Sequence, residues 1–137
     1  MRVVLSFVAC ALTAGLLASP AWAQKGMGDQ TGVARQDAKP EVVSLSGKVL
    51  SVESGPCENT TGRATVGTHL MLETSEGEEL NVHLGPAVMV ERVAGRLEAG
   101  QSIDVKAFRT EKMPEHHYVA QSLAIGEETI PLRDEAL

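Results

Sequence analysis

Thr68-His69-Leu70-Met71-Leu72-Glu73-Thr74, then Ser75-Glu76-Gly77, then Glu78-Glu79-Leu80-Asn81-Val82-His83-Leu84, is the stretch that decides the fold. In both flanks apolar and polar residues alternate with period two, the pattern of a strand with one buried face. Leu70 and Leu72, and Leu80, Val82 and Leu84, are set inward. His69, Met71 and Glu73, and Glu79, Asn81 and His83, are set outward. A slip of one residue would turn the leucines to water, so register is strongly specified. A three-residue loop with Gly77 in the left-handed conformation pairs Thr74 with Glu78. That register places His69 opposite His83 and Met71 opposite Asn81; a four-residue loop would place Met71 opposite His83.

The reading extends outward in both directions. Val42 to Glu53 predicts a first strand with Val43, Leu45 and Val49 on one face and Gly47 at a bulge or strong bend. A polar loop from Ser54 to Val66 follows and carries Cys57. Gly85-Pro86 stops the third strand, and Pro86 to Val93 predicts a short helix with proline in its first turn. Leu97-Glu98-Ala99-Gly100 turns the chain into a fourth strand, Ser102 to Thr110. Glu111 to His116 is a loop, His117 to Ile125 a fifth strand, and Thr129 to Arg133 a last short one. The class is all-β with one short helix, and the element order is that of a small OB-like barrel of five to six strands over residues 41–137. Closing the sheet in this way removes exposed edges. An open β-sandwich is the alternative.

Ahead of this domain, residues 1–23 read as a signal peptide. Arg2 is followed by an apolar run from Val3 to Leu17 and by Ala21-Trp22-Ala23, which predicts cleavage after Ala23. The run is too short to cross roughly 30 Å of hydrocarbon as a helix, and no later segment is more apolar. No membrane span is expected. Cys10 lies inside the apolar run behind Phe7-Val8-Ala9, a poor lipobox. Residues 24–40, rich in Gly, Gln, Asp and Lys, read as a flexible leader. The expected location is periplasmic or secreted.

Removing residues 1–23 from 137 leaves 114, enough for one domain with a modest core. Arg2 is the only charge lost, so 11 Lys and Arg then stand against 18 Asp and Glu, a net charge of −7. That acidity argues against a nucleic-acid partner, as does the lack of an aromatic stacking platform, with only Phe108 and Tyr118 in the β segments. The mature chain keeps a single cysteine, Cys57, and so forms no internal disulfide. There is no Cys-x-x-Cys-His for haem attachment.

Gly67-Thr68-His69-Leu70-Met71-Leu72-Glu73-Thr74, Gly77, Val82-His83-Leu84-Gly85-Pro86, Leu97, Gly100 and Leu132-Arg133-Asp134 together resemble a family of small exported bacterial OB-like domains. The resemblance is to the domain shared by the magnetosome proteins MamS and MamX, over roughly residues 44–135. It implies a periplasmic, non-catalytic accessory domain, tied in the magnetosome case to iron-mineral maturation. The missing haem motif departs from the MamX pattern and sets electron transfer aside. Glycines and core positions carry most of the likeness, so it speaks to fold more than to activity.

For chemistry, the outer face of the second and third strands is the surface on which OB-type barrels hold ligands. His69 and His83, directly paired, stand about 5 Å apart at Cβ, close enough to share a metal ion. Met71 shares the face, and Cys57, Met113, His116 and His117 lie in or beside loops that could add ligands. Imidazole with thioether or thiolate favours copper, with zinc second. The same residues also fit a solvated histidine pair with Met71 covering apolar surface. No nucleophile elbow, phosphate-cradling loop or carboxylate pair points to an enzyme. Three readings follow: a binding or scaffold module that meets another periplasmic protein, a copper- or zinc-binding protein using His69, His83 and Met71, and a thiol redox protein centred on Cys57.

Overall fold

The computed structural model describes residues 38–56 and 66–134. Residues 1–23, read as a signal peptide, most of residues 24–40, read as a leader, and Cys57 lie outside the described residues. Six strands and one helix follow in order: β1 (Val42–Pro56), β2 (Val66–Glu73), β3 (Glu79–Pro86), α1 (Ala87–Ala94), β4 (Ser102–Phe108), β5 (His117–Ile125) and β6 (Glu128–Pro131). β1 runs on through Ser54 to Pro56 and β2 begins at Val66, so both ends of the predicted polar loop are strand. The last strand stops at Pro131, before Arg133, because proline cannot donate to a ladder.

Backbone pairing closes a ring. β1 pairs with β2 and with β4, β2 with β3, and β4 with β5, all antiparallel, while β3 and β5 pair in parallel. This is the OB-like closure that the element order predicts. The β2–β3 register is the predicted one: His69 faces His83, and Met71 faces Asn81. At the hairpin the Thr74 amide donates to the Glu78 carbonyl at 2.9 Å, and Gly77 has φ +83°.

β1 serves two neighbours in turn, β4 along Val42 to Lys48 and β2 along Lys48 to Pro56. Gly47 stands at this change of partner. A Cβ there would lie 2.3 Å from the Glu73 carbonyl oxygen, so glycine is needed for close approach. The bulge expected at Gly47 falls instead between Val49 and Ser51. One extra residue there moves the inward set from Val49 to Val52, which pair with Leu72 and Leu70.

The alternating residues fill the ring. Leu70, Leu72, Val82 and Leu123 are wholly buried, and Val49, Leu80, Leu84, Ile103, Val105, Ala107 and Ala120 pack with them. Burial of each large side chain contributes about 1.5–3 kcal/mol. α1 adds Val90 to this core and leaves Val88 and Met89 exposed at 87% and 78%.

β5 is served by three strands. Its first residues pair with β3 over His117 to Val119, and its last pair with β6 over Ser122 to Ile125. Between them the β4–β5 ladder shifts register, and the Gln121 carbonyl accepts the amides of Leu132 at 2.9 Å and Arg133 at 3.1 Å. The C-terminal end of the described chain is thereby laid into the gap on β5 between β3 and β6.

Candidate metal centre

Pairing across β1, β2, β3 and β5 sets two adjacent rows on the outer face. One runs Glu53, His69, His83, Val119; the next runs Ser51, Met71, Asn81, His117. The leucine alternation produces this arrangement, because the residues between the core positions must face the other side. His69, Met71, Asn81, His83, His117 and Val119 are all half-buried. The two strand histidines thus face outward as predicted, but they are not the freely solvated pair that outward placement suggests.

The imidazoles of His69 and His83 have centroids 5.1 Å apart and planes inclined by 59°. Nδ1 of His69 lies 3.0 Å from Oδ1 of Asn81. An amide oxygen only accepts, so Nδ1 donates and carries the ring proton, and Nε2 keeps a free lone pair. Among the described residues, that Nε2 is buried and has no hydrogen-bond partner, and the same holds for Nδ1 of His83. A buried polar nitrogen left unpaired costs about 1–3 kcal/mol, and two of them on facing rings call for a common physical reason.

Burial, then the Arg133 guanidinium and then His69, push the His83 imidazole down to about 4. His83 is therefore neutral at neutral pH, the form that ligates metal ions. Arg133 reaches this place from beyond β6. Its Nη1 donates to the Leu84 carbonyl at 2.9 Å and also to the Ala120 carbonyl, the two acceptors exposed where β3 and β5 part. Burial holds its pKa below the usual guanidinium value. A Cβ on Gly85 would lie 3.0 Å from a Val90 side-chain carbon and 4.0 Å from Nη2 of Arg133, so the guanidinium lies beside Gly85 while the tight approach there is that of Val90.

The other predicted ligands are placed differently. His117 joins the outer face beside Asn81, with its Nδ1 3.0 Å from the Glu115 carbonyl. His116 precedes β5 with φ +59°; its carbonyl accepts the Asn81 amide at 2.9 Å, and its Nε2 lies 4.0 Å from Glu115. Met113 is engaged in its own turn, where its sulfur accepts the Thr110 amide at 3.4 Å. Among the described residues, no group of three or more His, Cys, Asp or Glu is gathered closely enough to hold an ion. What is assembled is two imidazoles, with Met71 on the adjoining row.

Two residues were missed as parts of the site. Asn81 could have been found, because the register that pairs the histidines also puts it one step from His69. Arg133 could not, because nothing local tells where a residue after the last strand will land.

Among the described residues no helix is long and apolar enough to cross a membrane. Residues 41–130 match the model of the MamS/MamX magnetosome protein family. No curated protein and no solved structure matches the chain.

Proposed function

The chain belongs to the MamS/MamX magnetosome protein family, and from that premise we propose that it is an exported, non-catalytic accessory module that holds a soft metal ion between His69 and His83. The observation that carries the reading is the pair of buried nitrogens, His69 Nε2 and His83 Nδ1, that have no partner among the described residues and stand on rings 5.1 Å apart. Two nitrogens bound to one ion at about 2.0 Å each lie no more than about 4 Å from one another, a span such rings accommodate. Asn81 supports the same role, since metal-bound histidines characteristically donate their second nitrogen to a carbonyl. Met71 offers a thioether on the adjoining row, and neutral nitrogen with thioether sulfur favours copper over magnesium or calcium. Export rests on residues 1–23.

The test is calorimetric titration with copper(I), copper(II), zinc(II) and iron(II), using a chain in which Cys10 and Cys57 are replaced by serine so that thiolate does not compete. Binding that disappears in His69→Ala/His83→Ala supports the site. Equal affinity in that double variant removes it.

A periplasmic protein partner is a second reading, favoured by the exposure of Val88 and Met89 on α1. A specific complex formed by the unaltered chain and lost in Val88→Asp/Met89→Asp supports it; a complex unaffected by the change excludes that surface.

A further inference from the structure

We infer that the His69–His83 pair is built for a singly charged soft ion, copper(I) in chemical class, and that Arg133 is the residue that discriminates against divalent ions. This rests on the metal-binding reading above and adds the charge of the ion.

Both ligands are imidazoles, which bind metal ions as neutral rings. His69 presents a lone pair at Nε2 because Asn81 holds the proton at Nδ1, and Nδ1 of His83 is buried with no hydrogen-bond partner among the described residues. Zinc sites in proteins ordinarily use three or four firm ligands, with thiolate or carboxylate often offsetting the ion's charge. Copper(I) is satisfied by few soft or borderline donors, and two imidazoles with a thioether nearby form such a set.

The neighbour of the pair is cationic. The Arg133 guanidinium sits over Gly85, two residues along β3 from His83, tied to the Leu84 and Ala120 carbonyls and with its backbone amide fixed on Gln121. It cannot swing away without uncovering both carbonyls. A guanidinium stays protonated in proteins, so it repels any cation placed at His83. Repulsion scales with the charge of that cation, and a dication meets twice the penalty of a monocation. Arg133 acts here as a positioning and selectivity residue, through the field it exerts and without touching the ion.

The experiment measures affinities for silver(I) and copper(I), the latter anaerobically against a competing chelator, and for zinc(II) and copper(II). All measurements use the chain with Cys10 and Cys57 replaced by serine. The expected result is that both monovalent ions bind more tightly than either divalent ion. Arg133→Gln should narrow that preference by about tenfold, the scale of one additional unit charge felt across several ångströms at an effective dielectric of about 20. Arg133→Lys, which keeps the charge, should leave the ratio near that of the unaltered chain. A loss of structure would weaken all four ions together and not alter their ratio. Divalent ions binding as tightly as silver(I) to the unaltered chain overturn the inference, and that comparison decides even if both Arg133 variants fail to fold. An unchanged ratio in a folded Arg133→Gln variant also overturns it. If none of the ions binds at the pair, the metal-binding reading itself fails.

Discussion

The side-chain oxygen of Asn81 lies 3.0 Å from Nδ1 of His69, and this contact across the β2–β3 ladder decides which nitrogen of that ring is free. Replacing Asn81 by Val removes the acceptor while keeping a residue suited to a strand. The tautomer bias at His69 should then relax, and affinity for silver(I) should fall roughly tenfold, the lower end of what outer-shell substitutions cost. Imidazole nitrogen NMR reads the tautomer, and competition titration reads the affinity.

Stability of the metal-free protein should depend on pH through His83. Its folded pKa is lowered from 6.5 to about 4, so between these values the unfolded chain binds more protons than the native one. Stability therefore rises with pH across this window. His83 makes its full contribution above about 6.5 and loses it as pH falls toward 4. Burial is the largest cause, and the groups facing the ring, Arg133 and His69, act in the same direction. Urea midpoints at pH 7.5, 5.5 and 4.5 should decline, and His83→Gln should flatten that decline. A parallel decline in the variant would assign the effect to other groups.

Gly47 and Gly55 lie on the same strand and should respond oppositely to alanine. At Gly47 the new Cβ meets the Glu73 carbonyl at 2.3 Å and a Leu72 side-chain carbon at 2.9 Å, so β1 must shift where it changes partner. The expected cost is about 2–4 kcal/mol, at the upper end for single substitutions. At Gly55 nothing among the described residues lies within 4 Å, and the change should stay within about 0.5 kcal/mol of neutral. Chemical denaturation of the two variants tests the contrast.

Leu70 and Met71 are adjacent in sequence and belong to opposite faces. Leu70→Ala should cost about 2–5 kcal/mol by opening a cavity in the core. Met71→Leu, a swap of similar volume on the outer face, should cost less than about 1.5 kcal/mol yet weaken silver(I) binding. Thermal melts and titration of the same two proteins separate the fold from the site.

Much of the fold was legible because two independent signals agreed. The leucine alternation fixed which residues of β2 and β3 face inward, and Gly77 fixed how far apart the strands begin, so the pairing of His69 with His83 followed from local rules. The bulge between Val49 and Ser51 is also written in the chain, in the change of apolar phase from Val49 to Val52, but Gly47 is the stronger local bulge signal on that strand. The burial of the two imidazole nitrogens was not legible. Alternation reports which face a side chain takes, not what later segments bring over that face. Arg133 comes from beyond the last strand, and the bulge of β5 at Gln121 that seats it has no local signature.

In the proposed site, His69 and His83 bind one ion through Nε2 and Nδ1 respectively. Imidazole ¹⁵N spectra recorded while silver(I) is added, in the chain with Cys10 and Cys57 replaced by serine, test it most directly. One equivalent should shift those two nitrogens together and leave the His116 and His117 rings unmoved. Unchanged His69 and His83 resonances at saturating silver(I), or shifts confined to His116 and His117, would contradict it.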